Sequence, residues 1–220
     1  MAETGTGEAG DLLEQAFALI AERGWRDFRF AALAGRAGVS LKQVYATFPT
    51  RAAVLTALGR RLDEAMLDLD PEDLAGMSPR ERVFELVMRR LDAMAPFRAG
   101  LRALGETGGG ADVLASACGN LGRVTEWLVD AADDPTLGPL RRSAAKPVLG
   151  LVYARVVQVW LRDDTPDLAE TMAELDRRLN QAEGLARWTD WLDGRDADRP
   201  GAAAAEDGPP LGDAAEGQGA

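Results

Sequence analysis

The stretch AGVSLKQVYATFPTR, residues 37–51, decides the fold. Gly38 makes a turn, Ser40 caps a helix over Leu41–Phe48, Pro49 ends it, and Thr50 caps the next one. Working outward, Asp11–Arg23 carries Leu12, Leu13, Ala16, Phe17, Leu19 and Ile20 at helical spacing, with Gly24 as a stop. Phe30–Ala37 forms a second, short helix before the Gly38 turn. Three short helices with a tight turn between the second and third make a helix-turn-helix, whose third helix lies in the major groove of DNA. Phe17, Leu33, Val39, Val44 and Phe48 supply the small core that sets its angle.

On this reading Ser40, Leu41, Lys42 and Gln43 stand at the exposed beginning of the recognition helix, where Lys42 and Gln43 reach base edges. Tyr45, Thr47 and Arg51 suit phosphate oxygens, as does the start of the helix capped by Thr50.

Charge distribution agrees with a double-stranded DNA partner. The chain of 220 residues is net −11, but Arg23–Arg61 holds eight basic residues against one acid, Asp27. That segment is +7, residues 1–22 are −5, and residues 62–220 are −13. A basic module on an acidic body confines the positive field to one face. The bland alternative is an arginine-rich composition, which does not explain why acids leave the same segment.

The rest reads as helix. Thr50 opens a long fourth helix to about Leu69. Ser78-Pro79-Arg80-Glu81 is a capping box that starts a helix to about Met94. Pro96–Leu104, Ala111–Ala132 and Leu140–Arg162 follow, with Pro147 bending the last or marking its true start. Thr165-Pro166 opens a final helix, Pro166–Leu192. Residues 1–10 and the Gly/Ala/Pro-rich acidic stretch 194–220 are expected to be disordered tails. The fold class is therefore all-α: a helix-turn-helix domain over 11–66, joined by its fourth helix to a helical bundle over 67–193.

Several function classes are excluded or weakened. The chain has no histidine and one cysteine, Cys118, so no metal site, disulfide framework or nucleophile–base pair is expected. Asp133-Asp134 and Asp163-Asp164 adjoin prolines and read as helix ends, not as paired catalytic carboxylates. Cys118, on an apolar helix, reads as a buried small hydrophobe. No enzyme activity and no cofactor are expected. Met1–Gly10 has no basic-then-apolar leader pattern and no apolar run spans a bilayer, so the expectation is a cytoplasmic protein.

Residues 11–66 resemble the N-terminal domain of TetR-family transcriptional regulators. The resemblance lies in Gly24-Trp25, Leu33-Ala34, Ala37-Gly38-Val39-Ser40, Val44-Tyr45, Phe48-Pro49 and Thr50-Arg51. It departs at Phe28-Arg29, where the family commonly has threonines, and at Lys42-Gln43 and Thr47, where it has Gly-Thr and histidine; the resemblance then implies that Arg29, unlike Phe28, replaces a lost hydroxyl contact to DNA phosphate. The resemblance implies a homodimer whose C-terminal domains pair and often enclose a small-molecule ligand; the expected function is a repressor that binds a palindromic operator and is released by an apolar effector. Phe84, Met88, Phe97, Leu101, Trp127, Tyr153 and Trp160 are the expected pocket residues, with Arg155 or Lys146 at a polar end; the competing reading is a dry core. The last two long helices are the expected dimer contact, through Val156, Val159, Trp160, Met172, Leu175 and Leu179.

Leu151–Leu179 also resembles the C-terminal part of the lipid-binding accessory protein of ubiquinone biosynthesis, in its aromatic-rich helix, Asp163-Asp164-Thr165-Pro166-Asp167 and Leu175-Asp176-Arg177-Arg178. This second resemblance implies a lipid- or isoprenoid-binding partner protein without a DNA role. Members of that family end in a membrane-meeting helix. Here Leu185, Trp188, Trp191 and Leu192 form such a stripe, but Glu183, Asp190 and Asp193 offset Arg187 and Arg195 and argue against an anionic membrane.

Overall fold

The computed structural model describes residues 3–70, 72–106, 110–132 and 139–192, with side chains over 11–70, 72–106, 110–132 and 142–184. Among these residues there are helices and no strand. The helices are α1 (Glu3–Asp27), α2 (Phe30–Ala37), α3 (Leu41–Thr47), α4 (Arg51–Leu67), α5 (Pro79–Met94), α6 (Arg98–Glu106), α7 (Ala111–Ala132), α8 (Pro139–Trp160) and α9 (Ala169–Leu192). A 3-10 turn, Ala95–Phe97, joins α5 to α6. Residues 1–179 form one compact unit and residues 180–220 a second, whose described part is the end of α9. The stretch 194–220 and the side chains of Leu185, Trp188, Trp191 and Leu192 lie outside the described residues.

Local chemistry accounts for the boundaries. Gly24 takes φ 75° and ψ 165°, which breaks α1 where the sequence expects a stop. The helix begins at Glu3, however, so the backbone of residues 3–10 is helical where a tail was expected. Ser78 caps α5 reciprocally: the Glu81 N–H donates to the Ser78 hydroxyl oxygen at 3.3 Å, and the Ser78 N–H donates to Glu81 Oε2 at 2.7 Å. The backbone and side-chain hydrogen bonds from Ser78 hold the Glu81 carboxyl below its ordinary pKa. In α8, Pro147 lies within a continuous helix and does not mark its start.

The final helix corrects the sequence expectation. It begins at Ala169, not Pro166, because Leu168 sits at φ 54° and the chain turns there. Asp163, fully buried, takes the capping role from upstream: its Oδ2 accepts the Thr171 N–H at 2.8 Å and the Thr171 hydroxyl at 2.6 Å. Its Oδ1 accepts the Thr165 N–H at 3.0 Å and also the Thr165 hydroxyl. Burial pushes this carboxyl up, but those four hydrogen bonds outweigh it and hold it well below the usual carboxylate range.

A single apolar core runs from the helix-turn-helix into the bundle. α1 packs along α6, with the Phe17 and Phe97 rings edge to face at 5.3 Å. Close approach there requires Gly100, where a Cβ would stand 2.6 Å from the Phe17 carbonyl oxygen.

Candidate nucleic-acid interface and ligand cavity

The interface is built from α2, α3 and the start of α4. Gly38 closes α2 in the left-handed region (φ 67°), returning its N–H to the Ala34 carbonyl. Ser40 then opens α3 with a second capping box. The Gln43 N–H donates to Ser40 Oγ at 3.3 Å, and the Ser40 N–H donates to Gln43 Oε1 at 2.9 Å. Val44 is buried with Phe17, Leu33 and Phe48, while Val39 is only partly buried against them. One face of α3 is thereby fixed inward. Leu41, Lys42, Gln43, Tyr45 and Ala46 are exposed on the other side, Tyr45 at 68% and Leu41 at 55%. Two exposed large apolar side chains on seven residues are unusual unless something covers them.

Several of the expected contact residues are engaged inside the chain. Gln43 uses its side-chain oxygen in the capping box, so a bidentate grip on adenine would first have to release Ser40. Arg51 is half-buried; its guanidinium lies 4.5 Å over the Trp25 ring and donates to the Trp25 carbonyl. Arg29 donates to the carbonyls of Arg26 at 2.6 Å and Phe28 at 3.0 Å, closing the end of α1. The Thr47 hydroxyl donates back to the Gln43 carbonyl at 3.2 Å, and Thr50 caps α4 by accepting the Ala53 N–H at 3.1 Å. Lys42 and Tyr45 are exposed on α3.

The basic segment is partly neutralised by the acids before it. Arg36 pairs with Glu22 at 2.6 Å and Arg61 with Glu14 at 2.8 Å. Arg23, Arg26, Lys42 and Arg60 are exposed. Trp25 links this end to the bundle, since its indole N–H donates to Asp112 at the start of α7 (3.0 Å). Sequence reading missed Trp25 in this role; the only signal was its place in the Gly-aromatic pair.

The bundle holds a cavity of about 360 Å³ between α4, α5, α6, α7 and α8. Leu55, Leu58 and Leu62 of α4 and Leu101 and Leu104 of α6 give it aliphatic walls, which Tyr153 and Asn120 interrupt. Of the expected pocket residues, Leu101 and Tyr153 line it. Phe97 and Trp160 are fully buried core, and Met88 is partly buried against that core. Phe84 borders a separate groove near Gly76 and Arg80, and Trp127 is 46% exposed. Lys146 pairs with Glu126 and Arg155 with the buried Glu174, so neither supplies the cavity's polar end. Cys118 is exposed and borders the cavity, contrary to its expected burial.

That polar end is a network which sequence reading did not find, buried at Arg90, Asp63 and Tyr153 and partly exposed at Asn120 and Arg123. Arg90 of α5 is wholly buried and donates to Tyr153 Oη at 2.8 Å, to Asp63 Oδ1 at 2.5 Å and to Asn120 Oδ1 at 2.9 Å. Arg123 donates to the other Asp63 oxygen at 3.0 Å and to Asn120 Oδ1 at 3.1 Å. Burial raises the Tyr153 hydroxyl above its ordinary pKa, and the Arg90 charge works against that rise. Gly59 admits this cluster against α4: a Cβ there would meet Arg123 Nη2 at 2.6 Å and Asn120 Oδ1 at 2.7 Å. Removing one member of the buried Arg90–Asp63 pair costs about 3–5 kcal/mol.

On the expected dimer helices, Val156, Trp160, Leu175 and Leu179 are buried within one chain, whereas Leu151 is 74% exposed and Val159 and Met172 are half-buried. The residues of the second resemblance serve internal packing, Trp160 in the core and Asp163 and Thr165 at the start of α9. Among the described residues no helix is long and apolar enough to cross a membrane, and no three metal-ligating side chains cluster.

Residues 12–58 match the family described as "Bacterial regulatory proteins, tetR family". No curated protein sequence matches the chain. Among solved structures, the TetR transcriptional regulator from Nitrosomonas europaea ATCC 19718 superposes with a TM-score of 0.67 at 24% identity, covering 80% of this chain and 97% of that one. A TetR transcriptional regulator from Rhodococcus sp. RHA1 gives 0.54 at 20% identity, with 82% and 97% covered. A TetR family transcriptional regulator from Pseudomonas syringae pv. tomato str. DC3000 gives 0.51 at 21%, with 81% and 95% covered. Residues 12–58 are a TetR-type helix-turn-helix domain, and the chain has the all-helical fold of TetR-family transcriptional regulators.

Proposed function

We propose that this chain is a DNA-binding transcriptional regulator, a repressor, that grips a palindromic operator as a homodimer and releases it when an apolar molecule occupies the cavity. The observation that carries the reading is the exposed face of α3, with Leu41, Lys42 and Tyr45 turned outward from a helix fixed by Val44 and the Ser40 cap. Lys42 and Gln43 read bases; Tyr45, Thr47, Thr50, Arg29 and Arg51 position or brace the helix on phosphate. Residues 11–66 are the DNA-binding domain and 67–193 the effector and dimer domain. The protein is cytoplasmic and has no catalytic role.

Helix α4 supports the release mechanism. Thr50 caps its first turn beside the recognition helix, and Leu55, Leu58 and Leu62 farther along line the cavity. A ligand that favours one placement of α4 shifts the DNA-competent population by its differential affinity, and a few kcal/mol suffices. Dimer formation uses the outward side chains of α8 and α9, Leu151, Val159 and Met172. Sedimentation should show a dimer at micromolar concentration. Titrating operator DNA tests the core of the proposal. Lys42→Ala and Tyr45→Ala should weaken binding by about 1–3 kcal/mol each without lowering the melting temperature. Unchanged affinity in both variants would refute α3 as the recognition helix.

A further inference from the structure

We propose that the cavity takes an apolar molecule ended by a carboxylate, with the acid seated against Tyr153 and Asn120. This rests on the reading of the cavity as an effector site and deepens it by assigning the ligand's chemistry. Three observations converge on one end of the cavity, where Arg90 joins Tyr153 to Asn120.

The first is an ill-matched donor. The Tyr153 hydroxyl is buried, accepts from Arg90, and among the described residues donates its own hydrogen to the thioether of Met94 (3.6 Å). Sulfur is a weak acceptor, and methionine is a flexible filler that moves aside readily. Met94 itself lines the cavity, so a ligand oxygen arriving there replaces sulfur with a far better partner. The second is a leftover donor. Both guanidinium groups use the Asn120 side-chain oxygen, which fixes the orientation of the amide and leaves its N–H groups for a ligand.

The third is charge. Among the described residues, Arg90 and Arg123 share the single carboxylate of Asp63. Arg90 is wholly buried and Arg123 is 43% exposed, so two cations, one of them screened by solvent, face one anion, and that excess favours an entering anion over a cation. The remaining walls are mainly aliphatic, with Ser116 and Cys118 of α7 among them, and suit a hydrocarbon body; 360 Å³ lies at the small end of the ligand-site range of about 300–1,000 Å³.

The test uses the purified full-length protein with decanoate, 1-decanol and the neutral dye Nile red as probes. Decanoate should bind at least about tenfold tighter than 1-decanol, as a charge-assisted hydrogen bond implies. Tyr153→Phe, which keeps the ring, should erase most of that preference. Should that variant fail to fold, Met94→Leu serves instead: removing the sulfur strands the Tyr153 hydrogen and should raise decanoate affinity several-fold. Equal binding of decanoate and 1-decanol, or a preference untouched by the folded variant, overturns the carboxylate assignment. If Nile red binds and decanoate does not displace it, the acid falls while the apolar effector site stands. If neither probe binds, both readings fall together.

Discussion

Gly100→Ala tests whether the helix-turn-helix end and the bundle are packed as one core. The new Cβ would lie 2.6 Å from the Phe17 carbonyl oxygen and 2.8 Å from its Cδ1. Contacts that short force movement, and a backbone oxygen inside α1 cannot step aside as a side-chain tip can. Overpacking of this kind costs about 1–3 kcal/mol. Against it stands the helix preference for alanine over glycine, about 0.8–1 kcal/mol. Because the obstacle is backbone, the upper part of the range applies, and the net loss is roughly 1–2 kcal/mol. For a chain of this size that lowers the melting temperature by about 2–8 °C. Thermal unfolding followed by far-ultraviolet circular dichroism reads the change directly. Gly119→Ala provides the opposite sign: it lies exposed in α7 with nothing within 4 Å of its Cβ position. There the substitution should stabilise by about 0.5–1 kcal/mol. A Gly100→Ala variant as stable as its parent would refute the α1–α6 contact.

Asp163→Ala should destabilise by about 1–3 kcal/mol, since the buried Thr171 N–H and hydroxyl lose their acceptor. Because folding holds the Asp163 carboxyl below its ordinary pKa, its contribution is full above about pH 4 and is lost as pH falls further. Melts from pH 7 to 2 should show that loss in the parent and not in Asp163→Asn. Arg51→Ala should lower both stability and DNA affinity, because its guanidinium covers Trp25, a contact worth about 0.5–2 kcal/mol; Lys42→Ala should change affinity alone. The exposed Cys118 thiol should react with a maleimide in the native protein, and decanoate bound in the adjoining cavity should slow that reaction.

The helices were readable because their start and stop signals are local. Ser40, Ser78 and Gly38 act within four residues of themselves, so spacing alone places α2, α3 and α5. Signals acting over longer range were misplaced. Thr165-Pro166 looks like a helix start, but Asp163 draws the cap onto Thr171 and delays α9 to Ala169. The candidate site divides the same way. Exposure of Lys42 and Tyr45 follows from the burial of Val44, because positions two before and one after it are turned off its face at 3.6 residues per turn. Arg51 turning onto Trp25, 26 residues earlier, does not follow from any period. Nor does the Asp63–Arg90–Asn120–Arg123–Tyr153 network, whose members come from four helices and whose only trace in the sequence is isolated charges on apolar faces. Aromatic content misled on the cavity: Phe97 and Trp160 fill the core, while leucine is the commonest wall residue.

Selection of genomic DNA fragments by the purified protein at physiological salt tests the proposed function most directly. The recovered fragments should share an inverted repeat whose half-sites stand about one helical turn, or a whole multiple of it, apart, and Tyr45→Ala should lose the enrichment. Fragments recovered without a shared sequence, or in equal yield by the Tyr45→Ala variant, would contradict it.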